Sequence, residues 1–117
     1  MSRGKNKRGA VKEIGKGGVE EYFVEQVELH GGICPKLVDI GRKGFPDRTP
    51  MWPEYGWARI HFVELKTIGG CLESWQERYH KDLRAVGAQV FVIWTKTQVD
   101  EYVERFKPIT DRPQCNR

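Results

Sequence analysis

The sequence predicts an α/β sandwich, in which a mixed four-stranded sheet carries helices on both faces. Three observations support this fold class: apolar residues recur at helical spacing in three segments, they alternate or run continuously in four shorter segments, and glycines or prolines separate the segments. The predicted order is helix, strand, strand, strand, helix, strand, helix, so a helical crossover joins the last two strands. A length of 117 residues fits one domain with one core.

The first helix is predicted at about residues 19–30, after a glycine-rich break at residues 15–18. Most of its glutamates gather on the polar face of a helical wheel, but Glu20 falls among the apolar residues. An ionised carboxylate is costly in an apolar environment unless a partner compensates its charge. Either a buried salt bridge or a metal site would explain Glu20.

A first strand is predicted at residues 33–40, where apolar and polar residues alternate. A basic turn at residues 41–44 follows, and then the sequence Phe45-Pro46-Asp47. Pro46 fixes its own backbone and favours an extended residue before it, so it presents Asp47 at the start of a short edge strand.

The clearest strand is predicted at residues 58–67. Its alternation places Glu64 and Lys66 on one face, together with Ile60 and Phe62. A glutamate and a lysine on one strand face are most often an exposed ion pair, but the apolar neighbours do not fit that interpretation. We therefore treat the pair as part of a candidate site.

The second half of the chain supplies one more polar residue that points inward. A capping box of Ser74 and Glu77 predicts a helix that extends to about residue 86, and Gln76 lies within its apolar face. The remaining predicted elements are a strand at residues 89–94, whose continuous apolar run is typical of burial on both faces, and a helix at residues 97–106.

Asp47 and Glu64 are the predicted metal ligands. Phosphodiester hydrolysis needs oxygen ligands for Mg²⁺ or Mn²⁺, a nearby cation and a polar group that orients water. The backbone carbonyl of Leu65 would add a third protein oxygen, and Glu20 would hold a second ion or a metal-bound water. Each residue alone is most often structural, but together they favour a catalytic site.

Lys66 and Gln76 complete the predicted catalytic set. Lys66 would orient or help to deprotonate the attacking water, and it would stabilise charge on the scissile phosphate. Gln76 would hydrogen-bond the nucleophile or the lysine.

Basic residues near these positions are candidates for phosphate contacts with DNA: Lys36, Arg42, Lys43 and Arg48. The net charge of +4 and the pI of about 9.1 favour a polyanionic partner. Residues 1–16 form a basic segment that could also touch phosphates. A basic solvent face and a solvated tail are the alternatives.

The aromatic residues Trp52, Tyr55 and Trp57 lie close together between the two middle strands. They are interpreted, in order of preference, as a hydrophobic patch at a dimer interface, as stacking partners for bases, or as a cover over the core.

Neither the histidines nor the cysteines form a zinc motif. We interpret His61 as a strand residue and His80 as part of the site rim or helix surface. The three cysteines are far apart, which favours reduced thiols. With no secretory signal and no apolar run of the roughly 18 to 20 residues that span a bilayer, we expect a cytoplasmic protein.

Several of these features follow one another in order along residues 18–106: Glu20, Lys36, Gly44-Phe45-Pro46-Asp47, Phe62-Val63-Glu64-Leu65-Lys66, and Leu72 followed by Gln76. This pattern resembles the VRR-NUC (virus-type replication-repair nuclease) family of the PD-(D/E)xK superfamily. The resemblance implies a restriction-endonuclease-like fold, a requirement for Mg²⁺ or Mn²⁺ and endonuclease activity on DNA.

The resemblance also implies an assembly and a substrate. Stand-alone phage and bacterial members are minimal domains that form homodimers and act on branched DNA such as four-way junctions, so we expect the same here. The charge and composition of the two ends predict a basic flexible arm at residues 1–16 and a flexible tail at 108–117, with the nuclease domain at 17–107 between them. The alternatives are a non-catalytic DNA-binding or assembly module on the same fold, and a nuclease for RNA or for a specific duplex sequence.

Overall fold

The computed structural model describes residues 16–54 and 57–108. Its elements, in chain order, are α1 (Lys16–Leu29), β1 (Met51–Glu54), β2 (Trp57–Leu65), α2 (Ser74–Ala85), β3 (Gln89–Ile93) and α3 (Lys96–Phe106). The α/β class is therefore confirmed. No helix in the described ranges is long and apolar enough to cross a membrane. Residues 1–15 of the predicted arm and 109–117 of the predicted tail lie outside the description.

The sheet is mixed, as predicted, with β2 between β1 and β3. β1 pairs with β2 in antiparallel fashion, with Met51 opposite Ile60, and β3 pairs with β2 in parallel, with His61 opposite Gln89. Parallel neighbours need a crossover, which α2 supplies. β1 tolerates Pro53 because it lies at an edge, where a missing N–H removes no ladder hydrogen bond.

The predicted first strand at residues 33–40 is wrong, and the sheet of the described ranges has three strands. Ile33 and Met51 exchange two backbone hydrogen bonds, and the Thr49 amide donates to the Pro35 carbonyl at 3.0 Å. Pro35 has no N–H with which to continue the ladder. The apolar residues beyond it are exposed, with Val38 at 71% and Ile40 at 97%, so their alternation did not reflect burial.

The two faces of β2 contact different layers. His61, Val63 and Leu65 are buried on the side of α1 and α3, and Val63 and Leu65 belong to the main hydrophobic core. The opposite face carries Glu64 and Lys66 toward α2. Helices therefore cover both faces of the sheet, as predicted.

Trp52 belongs to the core and not to a surface patch. It is fully buried, and its Nε1 donates a hydrogen bond to the Tyr102 hydroxyl oxygen at 2.9 Å. The preferred interpretation of Trp52 as part of a dimer interface, and the second as a base-stacking residue, are therefore wrong for this residue. Tyr55 and the side chain of Trp57 lie outside the described residues.

His61 completes a buried hydrogen-bonded chain with Tyr102. The Tyr102 oxygen accepts from Trp52, so its own hydrogen is available to the His61 Nδ1, which lies 2.6 Å away. This assigns His61 as a neutral imidazole that carries its proton on Nε2. Burial lowers the pKa of His61 to about 4, and the positive charges of Arg59 and Arg105 add to the effect.

We expect His61 to make the fold sensitive to acid. Between its ordinary pKa of 6.5 and its folded value of about 4, the unfolded chain binds a proton at His61 and the folded chain does not. The free energy of unfolding therefore falls as the pH falls through this window. The loss should reach about 2 to 3 kcal/mol near pH 4, since one pKa unit corresponds to about 1.4 kcal/mol. Urea unfolding of wild type and His61→Asn from pH 7 to pH 4 should give a steeper decline for wild type. Parallel curves would contradict this assignment.

Candidate active site

Asp47 reaches β2 through a short segment that docks on α2. Gly44 has a φ of +106°, and a Cβ at this position would lie 2.6 Å from the Trp75 carbonyl oxygen, so only glycine allows this approach. Three residues later, Asp47 Oδ2 accepts a hydrogen bond from the Leu65 amide at 2.8 Å. The loop conformation thereby attaches the Asp47 carboxylate to the central strand.

The strand register explains why Asp47 and Glu64 converge. Arg48 forms an antiparallel bridge with Val63, in the same register that pairs Met51 with Ile60. Continued by one residue, this register places Asp47 opposite Glu64. Opposite residues of an antiparallel pair share a face of the sheet, with Cβ atoms roughly 4.5 to 5.5 Å apart.

Glu64 is the central carboxylate of the site and is fully buried. Its Oε2 accepts a hydrogen bond from Gln76 Nε2 at 2.8 Å and lies 3.8 Å from Lys66 Nζ. Its Oε1 is buried and has no hydrogen-bond partner among residues 16–54 and 57–108. A carboxylate oxygen in that state is costly unless a positive charge compensates it.

Gln76 uses both ends of its amide. The Oε1 atom accepts from the Glu73 backbone amide at 2.8 Å at the start of α2, and Nε2 donates to Glu64. The predicted capping box was wrong by one residue, because the N-cap is Glu73 and the partner three positions on is Gln76. The helix start therefore fixes the amide that orients the Glu64 carboxylate.

Glu20 lies in an ion-pair cluster with Arg48 and Lys36. Its Oε2 lies 2.8 Å from Arg48 Nε and 3.4 Å from Lys36 Nζ, and Arg48 also donates to the Cys34 carbonyl at 3.2 Å. A salt bridge is one of the two explanations that the sequence left open for Glu20. A role for Glu20 at a second ion stays a prediction.

No protein-family model matches the sequence. A solved structure described as "VRR_NUC domain" is 37% identical to this chain, with a TM-score of 0.69, and the match covers 76% of this chain and 94% of that one. The chain belongs to the VRR_NUC family. The resemblance inferred from the motifs is therefore confirmed.

A curated relative agrees with the VRR_NUC assignment. Over 75 residues the chain is 40% identical to "Putative nuclease p44" of Acyrthosiphon pisum secondary endosymbiont phage 1. This match covers 64% of the chain and 77% of that protein.

His80 is a residue of this VRR_NUC site that sequence reasoning missed. It is buried, its Nε2 lies 3.7 Å from Glu64 Oε1, and neither ring nitrogen has a hydrogen-bond partner in the part of the chain that the structure describes. Its assignment to the rim or helix surface was wrong. The available signal was its spacing, because His80 lies four residues after Gln76 and so on the same face of α2.

Three of the four basic candidates form the rim of a pocket of about 210 Å³, lined by residues 36–39 and 42–47, which include Asp47. The Arg42 guanidinium lies 3.9 Å from the Tyr79 ring centre and 2.7 Å from Asp82 Oδ2. Lys43 Nζ lies 4.1 Å from the Trp75 ring centre. Lys36 is the third rim residue. Arg48 pairs with Glu20 and does not line this pocket.

Proposed function

We propose that this VRR_NUC protein is a metal-dependent endonuclease that hydrolyses phosphodiester bonds in DNA. The observation that carries the proposal is the state of Glu64, a buried carboxylate directly across the strand register from Asp47, with one oxygen that has no hydrogen-bond partner among the described residues. Burial of such a group is favourable only when a cation completes its surroundings.

The donor atoms at this position suit a hard divalent cation. Asp47 and Glu64 supply carboxylate oxygens, and the Leu65 carbonyl is a neutral oxygen on the same strand, a set that Mg²⁺ and Mn²⁺ accept with water as the remaining ligands. Within residues 16–54 and 57–108, no three histidine, cysteine, aspartate or glutamate side chains converge to hold a metal alone. The backbone carbonyl and water are therefore part of the proposed set. When bound, the cation supplies Lewis-acid activation and charge neutralisation at the phosphate.

The chain's own residues orient the reacting groups. Gln76 holds the Glu64 carboxylate in one orientation by its 2.8 Å hydrogen bond. Lys66 Nζ, 3.8 Å from the same carboxylate, places a positive charge beside the two acids. There it would orient the attacking water and stabilise the negative charge that develops on the scissile phosphate.

The proposed substrate is branched DNA such as a four-way junction, cleaved by a homodimer. A small domain offers little surface for reading base edges, so backbone charge and DNA shape are the expected basis of recognition. The basic rim of Lys36, Arg42 and Lys43 supports this mode of recognition. Support also comes from the family and from the phage relative named as a nuclease.

The test is cleavage of junction, fork and linear DNA, with an RNA duplex alongside, in Mg²⁺, Mn²⁺ or EDTA. We expect metal-dependent cleavage by wild type, strongest on branched DNA. Asp47→Asn and Lys66→Ala should each slow it by about 10²- to 10³-fold, the usual effect of removing one charge-stabilising group.

Two outcomes would overturn this proposal: no cleavage of any substrate in either metal, or unchanged rates in both variants. DNA binding in EDTA without cleavage in metal would instead favour a non-catalytic module. Light scattering at micromolar concentration tests the homodimer, which a monomeric mass would contradict.

A further inference from the structure

Residues 36–43 form an exposed segment, and its apolar side chains are not part of the core. Ile40 is 97% exposed and Val38 71% exposed, although the sequence pattern predicted a strand here. Single exposed apolar residues are common on protein surfaces. This segment differs because Leu37 and Val38 line the pocket that contains Asp47, and Ile40 lies in the chain between the two stretches of that lining, residues 36–39 and 42–47.

Ile40 is held between two anchored neighbours. On one side, the Asp39 carboxylate accepts hydrogen bonds from the Tyr79 hydroxyl at 2.5 Å and from the Gly41 amide at 3.0 Å. The Tyr79 hydroxyl, followed by the backbone amides of Gly41 and Arg42, holds the pKa of Asp39 below its usual range, as expected for a carboxylate stabilised in its charged form. On the other side, Arg42 is fixed to α2 by the Tyr79 ring and by Asp82. Ile40 is thus exposed on a loop that is held in place on both sides.

The charges around Ile40 favour the binding of a polyanion. Lys36 and Lys43 lie within a few residues on either side of Ile40, and both are exposed on the pocket rim, although Lys36 Nζ also lies 3.4 Å from Glu20 Oε2. Residues 36–43 carry three positive charges against the single negative charge of Asp39, and the nearby Asp82 is paired with Arg42. Basic side chains that bracket an exposed apolar one match a nucleic-acid strand, in which phosphates flank a stack of bases.

We propose that Ile40 is an apolar wedge that inserts between two bases of the DNA substrate, while Lys36 and Lys43 contact the neighbouring phosphates. Apolar wedges of this kind partly unstack a base step and kink the duplex. Unstacking costs least where the bases are already unpaired, as in a bulge. The wedge would therefore favour DNA with a locally opened step next to the cleaved phosphate. This inference rests on the proposed nuclease function and specifies how its substrate is recognised.

A second copy of the chain fits this surface less well. Two symmetric copies joined here would bring like-charged lysines together and would cover the pocket that contains Asp47. We therefore assign the surface to DNA, and a contact between copies becomes an outcome of the test.

The test uses a four-way junction with 2-aminopurine at the branch, whose fluorescence rises when the base unstacks. The full-length protein is titrated in EDTA, so that binding is observed without cleavage. Wild type should raise the fluorescence several-fold at saturation, whereas Ile40→Ala should lose most of that rise. The matched control is Leu29→Ala, since Leu29 is 73% exposed and lies roughly 14 Å further along α1 than Glu20. This control should behave as wild type, and circular dichroism confirms the folding of both variants.

A cleavage assay in Mn²⁺ gives the second readout. Ile40→Ala should be about 10-fold slower than wild type on a fully paired duplex or junction, and close to wild type on DNA with a preformed two-nucleotide bulge at the same place. A residue that only supported the fold would slow both substrates equally.

The outcomes separate the wedge from the nuclease. If wild type cleaves no DNA, the proposed function fails. If wild type cleaves and Ile40→Ala matches it in fluorescence and in rate on both substrates, the wedge is overturned and the nuclease stands. If Ile40→Ala retains the full fluorescence rise and changes only the mass from dimer to monomer, the segment is an interface between copies and the wedge is likewise overturned.

Discussion

Replacing Glu64 with glutamine is expected to reduce cleavage by at least about 10²- to 10³-fold while the fold stays as stable as wild type or gains stability. The glutamine has the same shape and can still accept from Gln76, so packing is preserved. What it removes is a buried negative charge with an unpartnered oxygen. That charge would serve a bound cation and otherwise costs stability.

The measurement pairs single-turnover cleavage in Mn²⁺ with thermal unfolding in EDTA. Glu77→Gln serves as the control, because Glu77 is an exposed carboxylate on the first turn of α2 and should change neither quantity by much. A Glu64→Gln protein that loses activity together with stability would show that the carboxylate is structural. Full activity in this variant would remove Glu64 from the mechanism.

Gly44→Ala is expected to have the largest effect on stability, about 2 to 5 kcal/mol, and to reduce cleavage as well. Two costs add at this position. A non-glycine residue is strained at a φ of +106°, and its Cβ would lie 2.6 Å from the Trp75 carbonyl oxygen and 3.3 Å from the Gln76 Cα. Relief of this clash would separate the loop that carries Asp47 from the helix that carries Gln76.

Gly69→Ala separates these two costs. Gly69 also has a positive φ, of +86°, but a Cβ there would meet nothing within 4 Å. It should therefore cost only the backbone strain, about 1 to 2 kcal/mol. Urea unfolding of both variants gives the comparison. Equal losses would show that the approach of Gly44 to α2 does not contribute.

The candidate site was predictable where it depends on local periodicity. Glu64 and Lys66 share a strand face by their spacing of two, and Gln76 points inward by its position on a helical wheel. The structure places all three together, with Asp47 opposite. Asp47 itself was indicated by the rigid Pro46 before it.

What the sequence could not supply was the distinction between buried and exposed apolar residues. The alternation at residues 33–40 is equally compatible with a strand and with a loop that displays Val38 and Ile40, and only the missing N–H of Pro35 argued for the loop. Trp52 was misinterpreted for a related reason. Its partner, Tyr102, is fifty residues away in sequence, and no local pattern predicts that contact.

Crystals grown with Mn²⁺ offer the most direct test of the central claim, that Asp47 and Glu64 form one cation site. Anomalous difference density should lie between the two carboxylates and the Leu65 carbonyl oxygen, and it should be absent in Glu64→Gln crystals grown in the same way. Manganese density elsewhere in a catalytically active protein, or density that persists unchanged in Glu64→Gln, would contradict the claim.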